Sequence, residues 1–226
     1  MALELRSVSY RYPVYRRLAL DGVNLRVDDG EIVGLAGPNQ AGKSTVCLVA
    51  CGLAPASIGG ELTGEVLVDG VSVRGLAIHE LAGRVGIVFA NPASQLSAIG
   101  GSVFEEVALG PVNLGLPVDE SVARTRAAIT ALGIEELAER RPDRLSGGQM
   151  QLVAIASMLA MRPRTLVLDE PVAELDPDGR RLVGEALRSL ARAGTALLIA
   201  EHDRELLASL GARVVAIDAG RLPVPA

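Results

Sequence analysis

The segment from Gly37 to Ser44 has the residue types and the spacing of a phosphate-binding loop. It matches the pattern G-x-x-x-x-G-K-[ST], and its residues with the threonine that follows are Gly37, Pro38, Asn39, Gln40, Ala41, Gly42, Lys43, Ser44 and Thr45. In such a loop, successive backbone N–H groups and the positive end of the next helix dipole face phosphate oxygens. The Lys43 ammonium then reaches the β- and γ-phosphates of a nucleotide, and the Ser44 hydroxyl is available to Mg²⁺. The alternative is a glycine-rich turn in which the lysine stands by chance.

The lysine of this loop is the only lysine in the chain. Lysine and arginine together number 22, and the other 21 are all arginine. Arginine can replace lysine on a solvated surface, but it cannot easily replace a compact ammonium that must fit between phosphates. The exception at Lys43 therefore favours phosphate binding over the chance turn.

A pair of carboxylates ends a second apolar run. Asp169 and Glu170 directly follow residues 165–168. At the carboxyl end of a buried strand beside a phosphate loop, Asp169 can hold Mg²⁺ through water. Glu170 is then placed to polarise a water molecule for in-line attack on a γ-phosphate. The alternative, an ordinary helix N-cap after a strand, is less favoured because the same chain carries the phosphate loop.

A third segment could bind an anion at the start of a helix. Its residues are Leu145, Ser146, Gly147, Gly148 and Gln149. Ser146 is a natural N-cap, and the two glycines leave backbone N–H groups bare for an anion. Ser-Gly-Gly turns are common, so residue types alone leave an ordinary helix start as the alternative.

The two histidines differ in their surroundings. His202 follows the apolar run 196–200 within Glu201-His202-Asp203, at the sheet edge where nucleotides bind. Its residue type fits equally a polar group at a strand end and a sensor of the γ-phosphate. His79 lies in a polar stretch and is expected at the surface.

These residues require strands and helices that alternate along the chain. The apolar run 31–36 predicts a strand buried on both faces before the phosphate loop, and 44–52 predicts the helix after it. The first thirty residues alternate as short antiparallel strands do. Further strands are predicted at 66–68, 85–89, 165–168, 196–200 and 213–217. Helical patterns dominate 118–160, where Gly133 and residues 142–146 split them, and a further helix is predicted at 177–191. The pattern predicts an α/β fold with an N-terminal antiparallel β subdomain and an inserted α-helical subdomain.

Length and composition exclude several classes of protein. The chain has 226 residues, 49% of them apolar, which supports a folded core rather than disorder. A net charge of -5 and only five aromatic residues, three Tyr and two Phe, speak against nucleic-acid binding. No signal-peptide core or membrane-spanning run is evident. The two cysteines, Cys47 and Cys51, are expected to be small buried side chains in a reducing compartment.

The order of the motifs resembles the ATP-binding domain of ABC-type ATPases over essentially the whole chain. The phosphate loop, LSGGQ at 145–149, LVLDEP at 166–171 and the final His202 occur in that order. The phrases VFANP at 88–92 and GPVNLGL at 110–116, with residues 153–163, are similar to the ATPases of energy-coupling-factor importers, the cobalt, nickel and vitamin group. The resemblance implies a P-loop NTPase (RecA-like) fold in one domain, 1–226, with a core lobe at about 1–89 and 161–226 and a helical subdomain at about 90–160.

The resemblance also implies a mechanism and partners. Two such domains sandwich two ATP molecules, and the phosphate loop of one faces the 145–149 segment of the other. Tyr12 matches the aromatic residue that stacks on adenine, Asp176 the loop that crosses the dimer interface, and His202 the γ-phosphate switch. ATP and Mg²⁺ close the dimer, and hydrolysis at Glu170 reopens it. The implied partners are a second ATPase subunit, identical or different, a transmembrane coupling subunit and a substrate-binding membrane subunit, with the ATPase peripheral on the cytoplasmic face of the membrane and no nucleic acid involved.

Several positions depart from the family pattern. Gln40 stands where glycine is usual, and Ala90 stands where a glutamine usually contacts Mg²⁺, with Gln95 five residues on as a substitute candidate. The other departures are Leu152 for Arg, Val172 for Thr and Glu174 for Gly or Ala. A missing Mg²⁺ contact affects rate and coupling rather than nucleotide binding, and it suits an asymmetric pair. Residues 91–101 correspond to the family's docking segment for the transmembrane subunit, and their small apolar character fits that role.

Two other functions stay open beside the importer ATPase. A soluble ABC-type ATPase acting on nucleic acid or ribosomes would be expected to carry a basic surface or large insertions, which a net charge of -5 does not favour. A nucleotide-binding regulatory subunit with weak hydrolysis is suggested by Ala90, whereas Glu170 and His202 favour hydrolysis. The transported substrate, and the C-terminal region that many members carry, are not determined by this sequence.

Overall fold

The computed structural model describes residues 1–97 and 99–223. Its strands are β1 (Leu3–Arg11), β2 (Leu20–Val27), β3 (Ile32–Ala36), β4 (Glu61–Val68), β5 (Val71–Ser72), β6 (Val85–Val88), β7 (Thr165–Asp169), β8 (Ala196–Ala200) and β9 (Arg213–Ala216). Its α-helices are α1 (Lys43–Ala50), α2 (Leu53–Ala56), α3 (Ile78–Ala82), α4 (Val103–Asn113), α5 (Val118–Ala131), α6 (Gly147–Met161), α7 (Pro177–Arg192) and α8 (Arg204–Ser209). Short 3-10 turns lie at Pro92–Ser94, Glu135–Leu137 and Pro142–Arg144.

A five-stranded sheet in the order β6-β7-β8-β3-β9 leads into the phosphate loop after β3, ends β7 at Asp169 and precedes His202 after β8. Strands β3, β7 and β8 run parallel, and every residue in them is buried, which is why they consist of continuous apolar runs. Ala200 at the end of β8 is level with Leu35 of β3 and with Asp169 of β7. The three strands therefore end together, and the segments that follow them emerge at a common carboxyl edge. The predicted α/β class is confirmed.

A second, antiparallel sheet has the order β2-β1-β4-β5. Its first strands alternate between buried and exposed residues, as predicted for the N-terminal β subdomain. Strand β4 begins at Glu61, earlier than the predicted start at residue 66, because residues 61–65 are mostly exposed and carry a single large apolar side chain, Leu62. Buried residues of this sheet, of α1 and of β3 and β8 form one hydrophobic core, which fixes the helix that follows the phosphate loop.

The chain divides into two compact units. The first holds residues 1–87, 164–169 and 190–223, and the second holds residues 88–97, 99–163 and 170–189. In the second unit α4, α5 and α6 pack on one another. Its fully or nearly fully buried side chains include Val103, Val107, Ile129, Leu132, Leu137, Val153 and Ile155. The predicted boundaries of the core lobe and the helical subdomain remain a prediction. In the division described above, residues 170–189 belong to the same unit as helices α4, α5 and α6.

The structure also bears on the predictions for the cysteines, His79 and the helices. Cys47 and Cys51 are free and buried, as predicted for small core side chains, and His79 is exposed. Helix α4 was not predicted, because Gly110 and Pro111 interrupt its helical pattern. Among the described residues, no helix combines the length and the apolar content that a membrane span needs.

Candidate functional site

The phosphate loop joins β3 to α1 and depends on glycine at both ends of its pattern. A Cβ at Gly37 would overlap the carbonyl oxygen of Ile217. Gly42 has a φ of +107°, and a Cβ there would lie 3.1 Å from the carbonyl oxygen of Ala19. The overlap at Gly37 excludes a side chain, and the positive φ of Gly42 would strain one. The loop therefore keeps its backbone close-packed and turned as a helix start requires.

Lys43 is held inside this loop. Its Nζ donates to the carbonyl oxygens of Gly37 at 2.8 Å and Pro38 at 3.1 Å, and the residue is only 6% exposed. The ammonium is thus already enclosed by the loop that it would share with a phosphate group. Ser44 follows in the first turn of α1 and is exposed, so its hydroxyl is accessible.

The middle of the loop contains a strained residue. Gln40 has a φ of +64°, in the left-handed region that favours glycine. This is the position at which the family usually has glycine, so the departure seen in the sequence coincides with a backbone conformation that suits glycine. The Gln40 side chain is exposed and makes none of the side-chain hydrogen bonds found in the described part of the chain.

The predicted adenine-stacking residue is tied to the helix after the loop. The hydroxyl of Tyr12 lies 3.1 Å from Oγ1 of Thr45, the last of the residues predicted to bind ATP. The Tyr12 ring meets Tyr10 edge to face at a centroid distance of 4.9 Å and approaches Tyr15 at 6.3 Å. Two of the predicted ATP-binding residues are thus brought together by a hydrogen bond.

Asp169 ends β7 with its carboxylate largely enclosed, since the residue is 8% exposed. Burial raises the pKa of the Cys47 thiol on α1 well above its ordinary value, and the nearby charge of Asp169 raises it further. The Ser44 hydroxyl and the Asp169 carboxylate are hard oxygen donors, the kind that Mg²⁺ takes together with phosphate oxygens and water. Within residues 1–97 and 99–223 no cluster of three or more His, Cys, Asp or Glu could hold a metal by itself. The hydroxyl of Ser44 and the carboxylate of Asp169 fit a Mg²⁺ ion whose other ligands are phosphate oxygens and water.

Glu170 follows Asp169 and begins the second part of the second unit. Its φ of +48° places it in the left-handed region, where residues other than glycine are strained. Strained residues that are kept in a fold concentrate at functional sites. Glu170 is partly exposed, and the neighbouring Val172 is buried at 2% exposure, where the family usually has Thr.

Beside the end of β8, a glutamate that the sequence reasoning missed contacts His202. Glu201 is 1% exposed, and its Oε1 accepts hydrogen bonds from the backbone N–H of His202 at 2.8 Å and of Asp203 at 3.2 Å. The Nδ1 of His202 lies 2.9 Å from the same oxygen, while the His202 side chain is 65% exposed. The signal that could have identified Glu201 is an acidic residue directly after a fully apolar strand.

In the second unit, the 145–149 segment starts α6 as predicted. Ser146 Oγ accepts from the Gln149 N–H at 3.3 Å, and Gln149 Oε1 accepts from the Ser146 N–H at 3.0 Å, a reciprocal cap. A Cβ at Gly148 would lie 2.9 Å from the carbonyl oxygen of Glu174, so only glycine fits there. Leu145 precedes this cap and is partly buried.

Asp176, the predicted interface residue, caps the next helix. Its Oδ1 accepts from the N–H of Gly179 at 2.7 Å, in the first turn of α7. The carboxylate of Glu174, two residues earlier, lies 3.5 Å from where a Cβ on Gly147 would stand. The loop predicted to cross a dimer interface is thus packed against the 145–149 segment within the second unit.

The Mg²⁺ contact usual in the family is missing at Ala90, which is exposed and offers only a methyl group. Gln95, the substitute candidate, uses its Oε1 to accept from the backbone N–H of Phe89 at 3.0 Å. This amide oxygen is therefore engaged in shaping the turn after β6.

Comparisons with known proteins agree with the motif order. The family model described as "ABC transporter" matches residues 20–173. A Pyrococcus horikoshii protein that carries the name ABC transporter ATP-binding protein is 42% identical over 221 residues, 97% of this chain and 77% of the relative. The energy-coupling factor transporter ATP-binding protein EcfA of Methanothermobacter thermautotrophicus is 41% identical over 223 residues, 97% of this chain and 69% of the relative.

Solved structures are similar over nearly the full chain. The cbiO1 protein of Clostridium perfringens, described as part of the ABC transporter complex cbiONQ, matches with a TM-score of 0.83 and 33% identity, over 99% of this chain and 87% of that one. A dimeric ATP-binding cassette in a post-hydrolysis state with ADP and Pi matches with a TM-score of 0.84 and 27% identity, over 98% and 97% of the two chains.

Proposed function

Because this chain belongs to the ABC transporter family of ATPases, we propose that it is the ATP-hydrolysing subunit of a membrane importer of the energy-coupling-factor type. The observation that carries the ATP chemistry is the enclosed Lys43, whose ammonium lies 2.8 Å from the Gly37 carbonyl inside a loop closed by two required glycines. The importer type is supported by the similarity to EcfA and cbiO1. The cargo would be a metal ion or a vitamin.

ATP binding uses the first unit. The backbone of 37–42 surrounds the phosphates, Lys43 supplies positive charge to the β- and γ-phosphates, and Tyr12 stacks on adenine. Ser44 and Asp169 would hold Mg²⁺, which when bound neutralises part of the phosphate charge. Tyr12 is positioned for this role by its hydrogen bond to Thr45.

In hydrolysis, Glu170 acts as the general base. Its carboxylate accepts a proton from a water molecule as the water oxygen bonds to the γ-phosphorus and the bond to the β–γ bridging oxygen breaks, which yields ADP and phosphate. His202 contacts the γ-phosphate from the end of β8. Because the His202 side chain is 65% exposed, its ring is accessible to a substrate.

Each ATP would also be contacted by a second ATPase subunit through residues 145–149. The reciprocal hydrogen bonds between Ser146 and Gln149 fix the first turn of α6, and Gly148 adds no side chain to that turn. Such a helix start favours an anion. ATP binding would therefore close a dimer, and hydrolysis would reopen it.

The segment 91–101 supports docking on a transmembrane subunit. Ile99 is 83% exposed, whereas the chain around it is fastened to α4. Glu106 accepts from the Ser97 N–H at 2.6 Å and from its hydroxyl at 2.8 Å, and Glu105 accepts from the Gly101 N–H at 2.6 Å. An apolar side chain on an anchored loop is suited to insertion into a partner. Ala98 lies outside the described residues.

The proposed ATPase function is tested by light scattering coupled to size-exclusion chromatography on Glu170→Gln, with and without Mg-ATP. Blocking hydrolysis should trap the closed pair, so the mass should double if the chain pairs with itself. The matched control is Lys43→Ala combined with Glu170→Gln, which should stay monomeric because it cannot bind ATP. A monomer that still binds ATP would show that the partner is a different ATPase or needs the membrane subunits.

The docking proposal has its own test. Ile99→Asp should abolish co-purification with a transmembrane subunit, whereas Val118→Asp, at a site on α5 that is 76% exposed, should leave it unchanged. If both variants retain the membrane partner equally, the 91–101 segment is not the docking surface. If the wild-type chain co-purifies with no membrane protein, the importer assignment fails and the soluble ATPase is favoured.

Ala90 favours a second candidate, a nucleotide-binding subunit with weak hydrolysis. If the missing amide limits the rate, Ala90→Gln should raise kcat of the assembled ATPase by about tenfold, in line with the effect of a ligand-orienting group. An unchanged rate in Ala90→Gln, together with ordinary turnover of the wild type, would rule this candidate out.

A further inference from the structure

Glu201 is a buried carboxylate at the edge where the phosphate loop and the magnesium-binding aspartate emerge. It follows β8, and its backbone N–H donates to the carbonyl oxygen of Leu35 on β3 at 3.1 Å. The preceding residue, Ala200, is level with Asp169 on the other neighbouring strand. Glu201 therefore lies between the strand that leads into the phosphate loop and the strand that ends in Asp169. A carboxylate in this position is 1% exposed, although burial of an acidic group is costly unless it is hydrogen-bonded.

The hydrogen bonds of Glu201 are concentrated on one oxygen. Oε1 accepts from the backbone N–H groups of His202 and Asp203 at 2.8 and 3.2 Å, and it lies 2.9 Å from Nδ1 of His202. The other oxygen, Oε2, is buried and has no hydrogen-bond partner among the described residues. A role limited to capping the chain would need only the two backbone contacts. Asp203 already caps α8 by accepting from the Leu206 N–H at 3.0 Å.

The contact with Nδ1 has a chemical consequence for the histidine ring. A carboxylate can only accept, so Nδ1 must carry the proton in this hydrogen bond. The ring is then fixed in orientation, and Nε2 is the nitrogen that stays available. A partner that binds one ring nitrogen in this way sets which tautomer is present and where the other nitrogen is directed.

We propose that Glu201 is a positioning residue that holds the His202 ring so that Nε2 is presented to the γ-phosphate of ATP. The proposal rests on the function proposed above for His202. Glu201 does not touch the nucleotide, and its effect is on the rate of hydrolysis rather than on ATP binding.

The tautomer can be measured directly, because the chain contains only two histidines. In protein labelled with ¹⁵N-histidine, long-range ¹H–¹⁵N spectra at about pH 8.5 compare the tautomers of the neutral rings. His202 is expected to show the Nδ1–H form, and His79, which is exposed on α3, serves as the internal reference. Glu201→Leu removes the acceptor at similar volume and should make the His202 spectrum resemble that of His79. Glu201→Gln keeps an acceptor oxygen and should retain the Nδ1–H form.

Hydrolysis by the assembled protein gives the functional readout. Glu201→Leu should lower kcat by about tenfold or more while the KM for ATP changes by less than about twofold, and Glu201→Gln should recover most of the rate. In a His202→Ala background, Glu201→Leu should cause no further loss, because its effect passes through the ring. Equal losses in the presence and absence of His202 would overturn the proposal.

The two levels of proposal fail in different ways. If the wild type hydrolyses ATP but His202 has the same tautomer as His79, the positioning role of Glu201 is wrong and the ATPase stands. If the wild type binds ATP without hydrolysing it, the proposed function fails, and the spectra alone still decide whether Glu201 holds the ring. Should Glu201→Leu not fold, the wild-type spectrum still decides the proposal, because an Nδ1–H form at His202 that differs from the tautomer of His79 supports it and the same tautomer at both rings overturns it.

Discussion

Replacing Gln40 with glycine should stabilise the chain in the absence of nucleotide. Gln40 has a φ of +64° in the phosphate loop, and its side chain is exposed, so the substitution changes mainly the backbone term. A left-handed conformation costs an L-residue about 1–2 kcal/mol. Glycine avoids that cost, but it increases the freedom of the unfolded chain, which offsets about 0.4–1 kcal/mol. The free energy of unfolding should therefore rise by about 0.5–1 kcal/mol.

The corresponding change in melting temperature is measurable. In a chain of this length, each kcal/mol shifts Tm by about 2–4 °C, so Gln40→Gly should melt about 1–4 °C above the wild type. Thermal unfolding followed by circular dichroism, repeated with urea, gives the comparison. The matched control is Gln40→Ala, which removes the amide but keeps the Cβ and its strain, and should stay within about 0.5 kcal/mol of the wild type.

The outcome that refutes this reasoning is a Gln40→Gly variant that is no more stable than Gln40→Ala. That result would mean that the left-handed turn is not strained, or that the Gln40 side chain stabilises the loop through contacts. A rise in both variants would assign the effect to the amide side chain rather than to the backbone.

The remaining predictions concern Lys43, Gly148 of the 145–149 segment and the two buried thiols. Lys43→Arg should weaken ATP binding by about 100-fold, measured with a fluorescent nucleotide, because a planar guanidinium does not fit the space of the ammonium. Gly148→Ala should cost about 1–3 kcal/mol and lower hydrolysis, since its Cβ would stand 2.9 Å from the Glu174 carbonyl oxygen. Burial raises the pKa of the Cys51 thiol to about 12 and that of Cys47 well above its ordinary value of 9.0, so the unfolded chain ionises first. The free energy of unfolding should therefore fall as the pH rises from 9 towards 12. Urea titrations at several pH values should show a smaller slope of this free energy against pH when both cysteines are replaced by alanine.

Each of these has a clear contrary result. Tight ATP binding by Lys43→Arg would show that any cation serves in the loop. Gly101→Ala is the comparison for Gly148, because only the flexible end of the Glu105 side chain lies within 4 Å of its Cβ, and equal stability losses would dismiss the steric explanation. An unchanged slope in the double alanine variant would exclude the thiols as the cause of alkaline instability.

Strands that are buried on both faces could be predicted from the sequence, because their residues are apolar without interruption. The pairing of β4 with β1 could not, since residues 61–65 are mostly exposed and Leu62 is their one large apolar side chain. Helix α4 was missed for a related reason. Gly110 lies against Met161 where a Cβ would not fit, and Pro111 is buried within the helix, so packing with α6 overrides their weak helix propensity.

The candidate site was predictable where its residues are contiguous. The phosphate loop and the 145–149 segment are local motifs, whose geometry follows from glycine positions and caps. The position of Glu201 after a fully apolar strand is visible in the sequence, but its contact with Nδ1 of His202 depends on side-chain conformation, which residue type alone does not reveal. The engagement of Gln95 with the Phe89 backbone is equally a matter of local geometry.

The single lysine makes the phosphate loop a selective site for proteolysis. A protease that cleaves only after lysine has one peptide bond to attack, that between Lys43 and Ser44 in the first turn of α1. Because Lys43 is 6% exposed and bonded to two carbonyl oxygens, cleavage there requires local opening of the loop. Nucleotide bound in the loop would slow that cleavage in proportion to its occupancy. The arginine-rich composition thus leaves one cut site, and its rate reports the opening of the nucleotide-binding loop.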